Sequence, residues 1–138
     1  MIICTHFKIE ELVPPDIIIQ YGSSAWALLT DQIKQTADNI REYFGAPMHI
    51  NTQTLHQRGY RTPGSAEYSP SSQHAIGNAI DFNIDGLSPE HIRSIILQNQ
   101  NLPAFSLIGG VEDFPGMSWV HVDCRGRQNG NIVVFSNK

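Results

Sequence analysis

The chain has 138 residues, 41% of them hydrophobic and 16% charged, a length and balance that suit one globular domain and give no sign of disorder or low complexity. A formal net charge of −4 and a pI near 5.8 exclude the basic stripe that a nucleic-acid footprint needs. No stretch could span a bilayer, the start Met1–His6 lacks the basic and apolar run of a secretory signal, and two cysteines are too few for a disulfide framework.

In chain order, a short helix is predicted over Ile9–Val13, ended by Pro14-Pro15 before a second short apolar turn, Ile17-Ile18-Ile19. The main helix is predicted from Ser24, as cap, to about Phe44, with Trp26, Leu29, Ile33, Ala37, Ile40 and Phe44 on one stripe and Gly45 as its stop. That stripe reads as core packing. Met48–Thr54 is predicted to be a strand, after which Gly59-Tyr60-Arg61-Thr62-Pro63-Gly64 opens a polar connection that delivers His74.

Two later stretches alternate with period two. In residues 79–85, Ile80, Phe82 and Ile84 share one face while Asp81, Asn83 and Asp85 share the other, which is read as wet. In residues 119–124, Val120, Val122 and Cys124 oppose Trp119, His121 and Asp123. Placed in one antiparallel sheet, these strands would bring Asp81 and His121 to a common cleft. Between them, Ser88-Pro89-Glu90 is a serine-capped helix start, with Ile92, Ile95 and Ile96 facing the core and an end near Asn99. Ser106–Val111, Trp119–Arg125 and Asn131–Ser136 are predicted to form an antiparallel meander, with Asn129-Gly130 supplying a tight hairpin. The expected class is α+β: a single domain over residues 1–138, with a small antiparallel sheet packed on helices. A Cys4–Cys124 bridge stays open, because pairing depends on geometry.

His74, Asp81 and His121 form the candidate metal set. Zinc that does chemistry usually takes three nitrogen or oxygen ligands and keeps a fourth position for water, and these residues supply that number and type. Taken singly, each reads as a polar residue on a loop or strand. His6, His49, His56 and His91 have no partner at useful spacing and are read as surface or hydrogen-bonding residues.

Ser72, His74, Gly77, Ala79 and Asp81 together meet the pattern SxHxxGxAxD, and Trp119-Val120-His121 a later histidine-bearing strand. With these motifs the chain resembles the zinc D-Ala-D-Ala carboxypeptidases of metallopeptidase family fifteen, whose metal site is shared with Hedgehog signalling domains. Gly59-Tyr60-Arg61 is similar to the family's arginine motif, and Phe7–Leu12 to the opening helix of short phage and prophage members. The resemblance implies a Hedgehog/DD-peptidase-like fold and zinc held by His74, Asp81 and His121. It also implies a peptidoglycan stem peptide as substrate, cut at D-alanine or at an L-alanyl-D-glutamate link as in phage endolysins.

The resemblance further implies that Arg61, with Ser72 beside it, binds the substrate's carboxylate or developing oxyanion. In many relatives an acid stands three positions before the last histidine; here Ser118 holds that place. Asp123 is therefore the first candidate for the general base, followed by Glu112 and Asp113, and the alternative role for Asp123 is to orient a ligand histidine. The expected setting is a monomeric lysin of phage or prophage origin, made in the cytoplasm without a signal peptide and acting on the wall after release. Two other readings are a non-catalytic zinc module of the same fold and an unrelated metal hydrolase acting on small amides.

Overall fold

Pro15 opens a helix as well as following one. In the computed structural model, which describes residues 1–137, Ile9–Glu11 is a single 3₁₀ turn, closed by Glu11 Oε2 accepting from the Lys8 N–H at 2.8 Å. The expected helix over Ile9–Val13 is thus one turn only. Pro15 then takes the first position of α1, Pro15–Tyr21, where its missing N–H costs nothing.

The predicted helix from Ser24 to Phe44 divides in two. Gly22–Leu28 is 3₁₀, Leu29 is extended at φ −102° and ψ 140°, and α2 runs Asp31–Phe44. Its cap is Thr30, whose Oγ1 accepts from the Ile33 N–H at 3.1 Å and donates to Asn78 at 2.8 Å. Gly45 ends α2 as predicted, in the left-handed region at φ 64°. Trp26, Leu29, Ile33, Ala37 and Ile40 are all buried, so the stripe packs as expected although it is not one helix.

Strand β1 is only Met48–His49, shorter than the predicted Met48–Thr54, because side-chain bonds divert the chain. Asn51 donates to the Val13 carbonyl and accepts from the Arg58 N–H, and the Thr52 hydroxyl accepts from the N–H groups of Thr54 and Leu55. The remaining elements are β2 (Ala79–Ile84), α3 (Pro89–Gln98, capped by Ser88), β3 (Gly110–Glu112), β4 (Val120–Asp123) and β5 (Val133–Phe135). β3 starts later than the predicted Ser106 because turns closed by Phe105 N–H to Leu102 and Ile108 N–H to Phe105 occupy that stretch.

The sheet has the order β1-β2-β4-β3-β5 and is mixed, which corrects the expected antiparallel meander. β1–β2, β2–β4 and β4–β3 are antiparallel, whereas β3–β5 is parallel. The reason is steric: both edges of β4 are taken, so the chain that returns after it must pass over β3 to reach a free edge. There it runs opposite to β4, hence parallel to β3. Asn129-Gly130 does make the expected tight turn, with φ 53° and 78°, but the turn closes only a Gln128–Asn131 bridge.

The α+β class holds: three α-helices accompany one five-stranded sheet in a single domain. One sheet face carries Ile80, Phe82, Ile84, Val120 and Val122 into the cluster that includes Ile33 and Ile40 of α2 and Ile92 and Ile96 of α3. The other face is wet as expected only at Asp85, which is exposed, and in part at Asn83, which is half-buried. Asp81, His121 and Asp123 are 6%, 5% and 0% exposed, roofed by the loop of residues 57–78 and by the C-terminal segment. No helix among the described residues is long and apolar enough to cross a membrane. Cys4 and Cys124 are both free thiols, one near the Lys34 carbonyl and the other near the Thr36 hydroxyl.

The position of the helix cap is testable by chemical denaturation. Thr30→Ala is expected to cost about 1–2 kcal/mol, as a lost cap does, whereas Ser24→Ala should fall within about 0.5 kcal/mol of the parent.

Candidate metal centre

Sheet register brings two of the three ligand candidates together. Asp81 of β2 and His121 of β4 are direct cross-strand partners, so their side chains leave the same face side by side. The row continues through Glu112 of β3 to Phe135 of β5. The next row is Ala79, Asp123, Gly110 and Val133, with the Asp123 carboxylate between two of the smallest residues. A Cβ on Gly110 would lie 2.4 Å from Asp123 Oδ1 and 2.5 Å from Arg125 Nε, so only glycine leaves space for that ion pair.

His74 arrives from outside the sheet on a one-turn 3₁₀ helix, Gln73–Ile76. Ser72 caps it by accepting from the His74 N–H at 3.1 Å, and Gly77 ends it at φ 68°. A Cβ on Gly77 would stand 1.9 Å from the Leu28 carbonyl oxygen. The pattern SxHxxGxAxD therefore has a local physical meaning: cap, ligand candidate, left-handed turn under a carbonyl, small residue beside Asp123, ligand candidate.

The donor atoms converge. His74 Nε2 is 3.2 Å and His121 Nδ1 2.8 Å from Asp81 Oδ1, and the three ligand atoms lie within 4.8 Å of one another. Bonds of about 2.0–2.1 Å to a tetrahedral ion separate ligand atoms by about 3.4 Å, so this spacing fits a small divalent cation. All three residues are buried.

Outer hydrogen bonds select the nitrogens that face the centre. His74 Nδ1 donates to the Gly59 carbonyl at 2.8 Å, which leaves Nε2 as the free donor. His121 Nε2 donates to Asp123 Oδ2 at 2.8 Å, which aims Nδ1 inward. Asp123 is in turn held by Arg125, with Nε 2.7 Å from Oδ1 and Nη2 2.8 Å from Oδ2. Arg61 Nη2 donates to Asp81 Oδ2 at 3.0 Å, leaving Oδ1 to the two histidines. The Gly59-Tyr60-Arg61 segment is fixed by Tyr60 N–H to the Leu12 carbonyl at 2.8 Å and Arg61 N–H to the His74 carbonyl at 3.2 Å.

These contacts overturn the effect of burial on protonation. Burial alone would push the Asp81 carboxyl up, but the charge of His74 and the hydrogen bonds from His121 and His74 hold it well below the usual carboxylate range. Burial likewise opposes the His121 imidazolium, yet hydrogen bonds to Asp123 and Asp81 raise it from 6.5 to about 9. Asp123 is lowered to about 2, its burial outweighed by His121 and Arg125.

The group heads a cleft of about 800 Å³, whose walls include Arg58, Arg61, Glu67, Glu112, Ser118 and Trp119. Of the base candidates, Glu112 is half-buried on this wall, in register with His121. Asp123 lies behind His121 with both oxygens engaged. Asp113 points to Arg93, 3.4 Å away, in a separate groove along α3. Arg61 and Ser72 both border the cleft.

His6 pairs with Glu42 and His49 with Asp85, matching the bland reading, but His56 borders the cleft. Arg58 and Arg125 were not singled out by sequence. Arg58 bonds the Asn83 side chain and the His49 carbonyl, and Arg125 holds Asp123; the only signal was their two-residue offset from Tyr60 and Asp123. No protein-family model, curated protein or solved structure matches the chain.

A proton and a cation held by this group would compete for His121 Nδ1, so pH should act oppositely on the two forms. In chelator, the raised His121 value stabilises the fold fully below about 6.5, and this contribution is lost as pH rises through about 9. Ion affinity should instead rise about tenfold per pH unit over pH 6–8, with about one proton released on uptake, read by calorimetry in buffers of different ionisation enthalpy. Affinity that is flat with pH would refute a protonated His121.

Proposed function

We propose that the chain is a zinc-dependent peptidase acting on bacterial peptidoglycan peptides, of the D-Ala-D-Ala carboxypeptidase or L-alanyl-D-glutamate endopeptidase type. The observation that carries this reading is the convergence of His74 Nε2, Asp81 Oδ1 and His121 Nδ1 at the head of an open, arginine-lined cleft. Two imidazoles and one carboxylate suit zinc better than magnesium or calcium, which prefer all-oxygen sets. When bound, such an ion supplies Lewis acidity, polarising a carbonyl and making a water acidic near neutral pH.

The chain's own residues divide the remaining work. Glu112, on the cleft wall beside His121, is the carboxylate placed to accept a proton. Asp123 is a positioning residue, because its two oxygens are committed to His121 and Arg125. Arg61 keeps Asp81 oriented and fronts the cleft, where a guanidinium can meet negative charge developing on a scissile carbonyl. Ser72 contributes through the turn it caps. Ser118, at the place where relatives carry an acid, favours a second reading: a zinc-containing binding module without turnover. The setting we propose is a phage or prophage lysin that meets the wall after release.

Digestion of purified peptidoglycan, with mass analysis of the products, tests this. Released muropeptides should vanish with chelator and return with zinc, and His74→Ala should lose zinc and turnover together. Glu112→Gln should retain zinc and lose about 10²–10⁴-fold in rate, against about 10–100-fold for Asp123→Asn. Intact zinc with no product from any wall chemotype would leave the binding module, and cleavage of simple amides alone would indicate a different hydrolase.

A further inference from the structure

The cleft does not stop at the three ligand candidates. Past His121 and Arg61 a second hollow of about 430 Å³ continues, bordered also by Ser71, Ser72, Arg125 and Phe135. The two spaces share Arg61, Ser72 and His121, so a bound chain can pass from one to the other across the centre.

Arg125 is the charged group of that hollow with donor capacity to spare. Its Nε and Nη2 hold Asp123, its guanidinium lies 4.1 Å from the Phe135 ring centroid, and its side chain is 31% exposed. Among the described residues, Nη1 has no hydrogen-bond partner. Arg61, by contrast, has Nε on the Gln57 carbonyl and Nη2 on Asp81. Arg125 is also close to the centre: Nη2 and His121 Nε2 bond the same oxygen of Asp123, each at 2.8 Å. The Phe135 ring fixes both from one side, packing edge-on against His121 at 5.6 Å.

We infer that this second hollow is a subsite for a carboxylate of the bound peptide, received by Arg125 Nη1 with help from the hydroxyls of Ser71 and Ser72. A carboxylate suits it better than phosphate, since in the zinc-loaded chain the charges of Arg61, Arg125 and the ion exceed those of Asp81, Asp123 and Glu67 by only one, leaving a field matched to one negative charge. The subsite extends the proposed peptidase reading by giving its substrate an anionic group next to the reacting centre.

The test is a binding experiment on the zinc-loaded full chain, independent of turnover. Acetyl-D-alanine and its amide are titrated by calorimetry, and the ¹⁵N signals of the arginine side chains are followed alongside. The acid is expected to bind about tenfold tighter than the amide and to shift the Arg125 signals, as a charge-assisted bond would. Arg125→Gln should abolish the preference, but it also frees Asp123; Ser71→Glu is therefore the deciding variant. That substitution puts a like charge in the hollow while leaving Asp123 alone, and should cut the preference below about threefold with zinc content unchanged.

Equal binding of acid and amide, an acid preference that survives Ser71→Glu, or unmoved Arg125 signals would each overturn the subsite. So would inorganic phosphate that displaces the acid at lower concentration than the acid itself needs. Loss of wall hydrolysis with the acid preference intact would retire the peptidase reading alone.

Discussion

Three segments far apart in the chain meet on one carboxylate. Asp81 Oδ1 receives His74 from the capped turn and His121 from the neighbouring strand, while Oδ2 receives Arg61 from the loop. Removing a carboxylate from water is expensive, and a buried one persists only where opposite charge and donors surround it. The surroundings of Asp81 satisfy that condition, and the same donors that make it tolerable also define the place for a cation. The burial of Asp81 and the candidate metal site therefore rest on the same contacts. The His74 and Arg61 contacts to that carboxylate join Tyr60 N–H to the Leu12 carbonyl, Asp81 N–H to the Arg58 carbonyl and Cys124 N–H to the Asn78 carbonyl in holding the loop of residues 57–78 over the sheet.

A second row of residues keeps the first in order. Asp123 can lie flat between β2 and β3 only because Ala79 and Gly110 offer no bulk, and Arg125 then neutralises it from the strand end. The chain Arg125–Asp123–His121 alternates charge sign, so each member lowers the cost of burying the next. Among the described residues no buried side-chain nitrogen or oxygen lacks a partner, which is what such a network requires to be stable at all. The network also sets which imidazole nitrogen faces inward, a choice that neither histidine could make alone.

The mixed sheet has a consequence for the site. Because β5 lies parallel on the outer edge of β3, Phe135 falls in the row of Asp81, His121 and Glu112 and closes one side of the centre. An antiparallel meander would have placed β5 beside β4, where β2 already sits with Asp81. The topology thus leaves β4 with a partner on each edge, and both partners contribute acids to the cleft.

Local rules, read from residues alone, were enough for features that depend on a few neighbours. The alternation in residues 79–85 and 119–124, which puts Asp81 and His121 on facing sides, the Ser88 cap, the Gly45 stop and the left-handed Asn129-Gly130 turn follow from side-chain period or from backbone preferences of single residues, while His74 joins Asp81 and His121 through the pattern SxHxxGxAxD that carries the family resemblance. What depended on distant partners was not legible. Ser24 and Thr30 are both good caps, and the choice between them came from Asn78 and the carbonyl of Gly77. The parallel pairing of β5 came from occupied strand edges, and the roles of Arg58 and Arg125 from what stood opposite them. The different surroundings of Asp123, bonded through both oxygens, Glu112, on the cleft wall, and Asp113, beside Arg93, came the same way, since which partners an acid meets is a matter of three-dimensional neighbours.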